Sequence, residues 1–305
     1  MELKPKEGAM PISDEKASLA GVKPMPAPSS AIYGPKPRYR MLVTDLDNTL
    51  LDEDKKASPE DIAAIRRLTE AGYLFTFATG RGPGSTARYF SELGANVPAI
   101  IFNGARIMEF ASDRMLFNAT LKREPAIRAI KHAKAMGLST IAFGAESCLT
   151  EKADYWKSYY EKATGADCLL VEDLAEHSAA LPSGMELTKL ILFSGPERRD
   201  EIVEEFGKAF PEFHTVGTTP NYTEILPFGI SKGFALEKLA RYLGVELGSI
   251  VAVGDAPNDI EMIKCSGLGA AVANADAVVK ACADIIVKQV GKGGIAELIS
   301  IAFGI

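Results

Sequence analysis

Long apolar runs are missing from this chain. No stretch approaches the ~20 consecutive apolar residues that a bilayer-crossing helix requires, so no membrane partner is expected. Cysteine is scarce. Cys148, Cys168, Cys265 and Cys282 are the only four in 305 residues, and none forms a C-x-x-C pair. They are expected to be reduced thiols of a cytoplasmic protein, not a disulfide framework. Histidine is scarcer: His132, His177 and His214 stand far apart without ligand spacing, as cap or surface residues do. Positive charge is not in excess. Lys and Arg number 34 against 40 Asp and Glu, and the net charge of −6 argues against a broad nucleic-acid surface while leaving room for a local basic pocket. No internal repeat is visible.

Hydrophobic residues make up 47% and charged residues 24%, ordinary for a soluble globular protein, and the length allows one large domain or two of usual size. Residues 1–38 hold seven of the 17 prolines and no hydrophobic period. They contain no uninterrupted apolar core of the kind a signal peptide needs. A flexible or extended tail is expected there.

From residue 39 the pattern is α/β. Met41 to Thr44 reads as a short buried strand running into Asp45 and Asp47. Ser58-Pro59 looks like an N-cap followed by Pro at the first helical position, with Ile62, Ile65 and Leu68 on one face and Gly72 at the end. Tyr73 to Ala78 is a second strand, closing on Thr79-Gly80-Arg81, and a helix carrying Tyr89, Phe90 and Leu93 follows. Ala99 to Phe102 is a third strand reaching Asn103-Gly104, and 106–120 is expected to form a hairpin flap. Alternation of strand and helix predicts a parallel sheet with right-handed crossovers.

Between residues 121 and 226 the pattern changes to a block with helices at 126–136 and 197–210 and strands at 139–143, 186–193 and 223–226. It can bury a core of its own and is expected to be an inserted second domain. Tyr155, Trp156, Tyr159 and Tyr160 share one helical face there, and the expected role of that stripe is packing. The first pattern then resumes: a helix opened by Ser231-Lys232-Gly233, a fourth strand at 249–253 ending on Gly254-Asp255, a helix begun by Asn258-Asp259, a fifth strand at 269–273 and a last helix at 295–302.

The strand exits carry the chemistry. In a parallel sheet they lie on one edge, so Asp45, Asp47, Thr79, Gly80, Arg81, Asn103, Asp255, Asn258 and Asp259 should converge. Read alone, D-x-D-x-T has two explanations, a strand terminator or a pair of working carboxylates. Asn258 with Glu261 could likewise be a plain capping pair. Taken together, four carboxylates at one edge suit a hard cation such as Mg²⁺, which would relieve their mutual repulsion. Thr79-Gly80 offers N–H groups to an anion. Lys232 at a helix start faces the positive end of the dipole and calls for an anionic partner or a solvated tip.

Jointly these segments resemble the haloacid dehalogenase superfamily of phosphohydrolases, in its Cof-type branch with a large type IIB α/β cap. DLDNT at 45–49 resembles the first motif, Thr79 within FATGR the second, Lys232 within SKG the third, and GDAPNDIEM at 254–262 the fourth. AVANA at 271–275 also resembles this branch. The likeness covers 39–305; Asn48 stands where the family commonly has Gly. It implies a Rossmann-like parallel-sheet core, strand order 5-4-1-2-3, formed by 39–120 and 227–305, with 121–226 as the inserted cap.

It further implies a Mg²⁺-dependent phosphatase acting on small phosphomonoesters, sugar phosphates first. Asp45 would be the nucleophile and Asp47 the general acid and base, with a carboxyl raised toward neutrality by its acidic neighbours. The metal would be held by Asp45, the carbonyl of Asp47, Asp255 and Asp259. The phosphate would be held by Thr79, Lys232, Asn258 and the N–H groups of Leu46 and Gly80. Alternatives are a sugar phosphomutase or a phosphoester-binding regulator without turnover. Arg106, Glu151, Tyr155, Trp156 and Asn221 are guesses for cap contacts to substrate. Oligomeric state is not readable.

Overall fold

The computed structural model describes residues 38–144 and 148–305, so the expected tail, all but its last residue, lies outside the described residues. In chain order the elements begin with β1 (Met41–Thr44), α1 (Pro59–Glu70), β2 (Leu74–Phe77), α2 (Pro83–Glu92), β3 (Ala99–Ile101), β4 (Arg106–Glu109) and β5 (Arg114–Asn118). Then follow α3 (Arg123–Ala135), β6 (Ser139–Phe143), β7 (Cys148–Thr150), α4 (Tyr155–Thr164), β8 (Cys168–Leu170), α5 (Leu174–Ala180), β9 (Lys189–Phe193), α6 (Arg199–Ala209), β10 (Phe213–Thr219) and β11 (Tyr222–Pro227). The chain closes with α7 (Lys232–Leu243), β12 (Ile250–Gly254), α8 (Ile260–Cys265), β13 (Leu268–Val272), α9 (Ala277–Lys280), β14 (Ile285–Val287) and α10 (Gly294–Phe303).

One sheet is parallel throughout, in the order β14-β13-β12-β1-β2. The short central strands are buried on both faces. Met41 and Val43 join one apolar cluster, with Ile250 and Ala252 of β12 and Leu236 and Leu239 of α7. Leu42, Val251 and Val253 point the other way, into a cluster with Ile65 and Leu68 of α1 and Leu298 of α10. A period of two with both faces covered is what a doubly wrapped parallel sheet demands. Helix α1 starts as its sequence suggests: the Ser58 side chain accepts from Asp61 N at 3.1 Å and Pro59 follows it.

Two details differ from expectation. Beyond the anticipated fifth strand, β13, the sheet gains an edge strand, β14, whose three residues are too few to signal themselves in the sequence. The third strand, β3, belongs to an antiparallel sheet with β4 and β5 and meets β2 through a single parallel bridge, Ala78 to Ile100. The order 5-4-1-2-3 survives, with β14 added outside it.

The second sheet has six strands, β10-β11-β9-β6-β7-β8, all drawn from residues 139–227. One face packs on α3, α5 and α6 around Leu190, Leu192, Phe206 and Ile225. The opposite face, with Ile191, Phe193 and Phe143, joins the apolar cluster that holds Met41 and Val43. The aromatic stripe packs there: Trp156 stacks on Phe193 at 5.1 Å and Tyr160 meets Phe143 edge-on at 5.7 Å, while Tyr155 is exposed.

The four expected free thiols are two. Cys148 and Cys168 are paired neighbours on the adjacent parallel strands β7 and β8, with Cα atoms 4.6 Å apart, and their sulfurs are bonded. They stand 20 positions apart in sequence, a spacing that carries no pairing signal. Cys265 and Cys282 are free. Among the described residues no helix is long and apolar enough to cross a membrane.

Candidate active site

Register brings the site together. Thr44 of β1 pairs with Val253 of β12 on one side and Phe77 of β2 on the other. The residues that follow each of these three therefore leave the sheet at one level: Asp45, Gly254-Asp255 and Ala78-Thr79. One oxygen each from Asp45, Asp255 and Asp259 lies within 4.8 Å of the others.

Lys232 sits beneath them, only 1% exposed. Its helix is capped by Ser231, whose side chain accepts from Phe234 N, and the opening turn points the long side chain back toward β1. The ammonium donates to Asp45 Oδ1 and to Asp259 Oδ1, each at 2.6 Å. The anionic partner that a cation at a helix start calls for is thus a pair of carboxylates. Burial works against the Lys232 charge, but Asp259 and Asp45 outweigh it and hold its pKa above the usual value.

The carboxylates are unequal. Burial drives the Asp45 carboxyl well up, with Lys232 opposing and Asp259 and Asp255 adding to the rise. Burial and Asp259 push Asp255 up to about 7, against the pull of Thr49 and Lys232. Thr49 Oγ1 donates to Asp255 Oδ1 at 2.6 Å and so fixes that carboxylate. Asp259 is fully buried, and both of its oxygens are engaged: Oδ1 by Lys232, Oδ2 by the N–H groups of Asp255 and Ala256 at 3.0 Å. A Cβ on Gly254 would overlap that carboxylate, so the close approach requires glycine.

Asp47 departs from expectation. The rise toward neutrality does not occur, because its carboxylate is clamped by cations. Arg81 donates through Nε at 2.7 Å and through a terminal nitrogen at 2.6 Å, and Lys55 donates at 2.8 Å. Burial pushes the carboxyl up, but Arg81 and then Lys55 overcome it, and the pKa falls below its ordinary value.

Thr79 is buried and accepts from Arg81 N at 3.2 Å. Gly80 gives its carbonyl to Lys189 Nζ at 2.9 Å. Leu46 turns its side chain into the core, and its carbonyl accepts the N–H groups of Thr49, Leu50 and Leu51, which tightens the loop. Asn258 donates Nδ2 to Asn103 Oδ1 at 2.9 Å, and its own Oδ1 is buried without a partner among the described residues.

A cavity of about 130 Å³ opens on these groups. Asp45, Asp47, Thr79, Gly80, Asp255 and Asn258 line its floor, and Tyr160, Thr164, Lys189, Thr219, Tyr222 and Glu224 of the second sheet and α4 form the opposite wall. The five guessed cap contacts do not line it. Arg106 is buried and bonds Asn118 and Thr188, Glu151 takes Leu174 N and Lys134, Asn221 bonds Tyr159, Trp156 packs on Phe193, and Tyr155 faces solvent. Sequence reading brought Arg81 and Asn103 to the strand exits without giving them a role, and missed Lys189 and Glu224 as site residues. A lone Lys opening the apolar run KLILF and a lone Glu inside YTEILP were the available signals.

Known proteins are similar to this chain in sequence and fold. A family model described as haloacid dehalogenase-like hydrolase matches residues 42–299. YkrA of Bacillus subtilis (strain 168) is 29% identical over 258 residues, 84% of this chain and 95% of that protein. The pyridoxal phosphate phosphatase YbhA of Escherichia coli (strain K12) is 26% identical over 272 residues, 85% of this chain and 97% of that protein. The crystal structure of TM0651 from Thermotoga maritima is similar with a TM-score of 0.75 at 28% identity, covering 86% of this chain and 97% of that one.

Proposed function

This chain belongs to the haloacid dehalogenase-like hydrolase family and is a phosphatase of it, and we propose that it hydrolyses small phosphomonoesters, sugar phosphates first, with Mg²⁺ and through an aspartyl-phosphate on Asp45. The observation that carries this reading is the convergence of Asp45, Asp255 and Asp259 over the buried ammonium of Lys232.

The donor set fits a hard divalent cation: oxygen ligands only, two carboxyls raised by burial and mutual repulsion, and a cavity beside them. Asp45, Asp255 and the carbonyl of Asp47 would hold the ion. Asp259, with both oxygens engaged, would act behind them by fixing Lys232 and the Asp255 loop. Bound there, the ion supplies the charge neutralisation that lets a carboxylate approach a phosphate dianion.

The chain's own groups do the rest. Lys232 fixes Asp45 Oδ1, which leaves Oδ2 to attack phosphorus. Thr79 and the N–H groups of Leu46 and Gly80 receive the phosphoryl oxygens. Asp47 protonates the departing alcohol and then takes a proton from the water that cleaves the aspartyl-phosphate. To hold that proton it must be released from Arg81 and Lys55, and a phosphate dianion in the cavity competes for both cations. Residues 121–226 form the cap whose wall excludes bulk water.

Phosphate release from a panel of phosphomonoesters tests the reading. Asp45→Asn is expected to lower kcat by at least ~10³-fold with the fold intact, and EDTA to abolish wild-type turnover. Wild-type rates in the Asp45→Asn protein would remove the nucleophile from the proposal.

A further inference from the structure

The second sheet carries a buried ion pair that the phosphate chemistry leaves unused. Lys189 and Glu224 stand on the neighbouring antiparallel strands β9 and β11 and are 1% and 2% exposed. Leu190 and Ile225, beside them in sequence, face the outer core of that sheet, so alternation turns both charged residues toward the cavity.

The bonding of the pair is lopsided. Lys189 is held on several sides: Nζ spends two of its three N–H donors on Glu224 Oε1 at 2.8 Å and Gly80 O at 2.9 Å, and it lies over the rings of Phe143 and Phe102 at 4.9 and 5.6 Å. On Glu224, Oε1 accepts from Lys189 and Oε2 from Asn103 Nδ2, but a carboxylate offers about four acceptor positions. Further along the same chain of bonds, Asn103 accepts from Asn258, whose buried Oδ1 has no partner among the described residues. Glu224 on the wall and Asn258 on the floor therefore leave acceptor positions unfilled on either side of the cavity, next to a cation already paired with Glu224. Such a surface takes hydroxyl donors and repels a second acidic group on the substrate. A buried ion pair adds little stability over apolar residues of the same size, so its position at the cavity wall points to recognition.

We propose that Glu224 selects the leaving group by accepting hydrogen bonds from hydroxyls of the substrate's alcohol portion, with Lys189 and Asn103 as the residues that position its carboxylate. This rests on the phosphatase reading of the same site.

The test compares kcat/KM for two Mg²⁺-supported substrates, a hexose 6-phosphate and p-nitrophenyl phosphate, whose leaving group carries no free hydroxyl beyond the ester oxygen. The ratio of the two is the readout. In Glu224→Leu that ratio is expected to fall about 10- to 100-fold, the worth of one or two hydrogen bonds to a charged group. Glu224→Gln keeps an acceptor oxygen and should fall less. Lys189→Met/Glu224→Leu removes both charges together, avoids a stranded ion, and should show the same fall if Glu224→Leu alone does not fold. A ratio that stays at the wild-type value in these variants overturns the assignment, whether both rates drop together or neither moves. Wild-type hydrolysis of p-nitrophenyl phosphate that disappears in Asp45→Asn keeps the phosphatase reading standing in that case. Absence of wild-type hydrolysis of both esters overturns both.

Discussion

The residue that departs furthest from a simple reading of its neighbours is Asp47. Two positions from Asp45 in an acidic motif, it invites the expectation of a raised pKa, yet Arg81 and Lys55 close on it and lower that pKa. Neither cation is adjacent in sequence, so the inversion is a product of folding. It has a signed consequence. A carboxyl lowered in the folded state adds stability that is complete above its unfolded value of about 3.9 and is lost as pH falls through the lower folded value. Arg81→Met should cost about 2 kcal/mol at neutral pH, and the gap from wild type should close below about pH 4. Urea unfolding at several pH values reads this directly, and a gap independent of pH would contradict the clamp. At this scale the sequence told most where a residue type is chemically forced. Two carboxylates at a strand exit and a Lys at a helix start each need a partner, and Lys232 has its partners in Asp45 and Asp259. It told least where partners come from distant strands, as with Lys189 and Glu224.

Among the elements, α7 is held by close contact at its start. Its first turn presses on the loop after β3: a Cβ at Gly104 would overlap the Ser231 carbonyl, and Gly104 has a φ of +98°, which side chains rarely adopt. Both the contact and the dihedral require glycine. Gly104→Ala should therefore cost about 3 kcal/mol or more and displace the start of α7, which carries Lys232. Thermal unfolding and phosphate release should fall together in this variant; a fall in stability with full activity would show that α7 need not stay where it is. The longer elements were readable because several signals agree on them. Ser58-Pro59 caps α1, Ser231 caps α7, and the apolar period matches the buried face of each. The strands β7, β8 and β14 have three residues each, too few for any period, and the Cys148–Cys168 bond follows from the pairing of two of them. The crossover of β3 into an antiparallel sheet was hidden for another reason. Burial of Ala99, Ile100 and Ile101 is the same whichever way the neighbour runs.

For the whole molecule the acidic cluster couples folding, pH and metal. Asp45 and Asp255 are both raised, Asp255 to about 7, so the folded protein without metal holds protons that the unfolded chain has given up. Between the unfolded value of about 3.9 and the folded value, the native state binds more protons, and stability must fall as pH rises. Each such proton contributes a slope of about 1.4 kcal/mol per pH unit. Asp47, lowered, acts below that window, and Lys232, raised, acts far above it. Metal-free protein is therefore expected to melt lower near pH 8 than near pH 5. A divalent ion binds the ionised carboxylates and competes with those protons, so its stabilisation, RT ln(1 + [L]/Kd), grows as pH passes the folded value. Mg²⁺ should raise the melting temperature strongly above about pH 7 and little near pH 5. The Asp255→Asn protein should lose most of that rise and should also flatten the metal-free decline. An equal shift at both pH values would mean that the cation binds away from Asp45 and Asp255, and the placement of the metal at the strand exits would have to be abandoned.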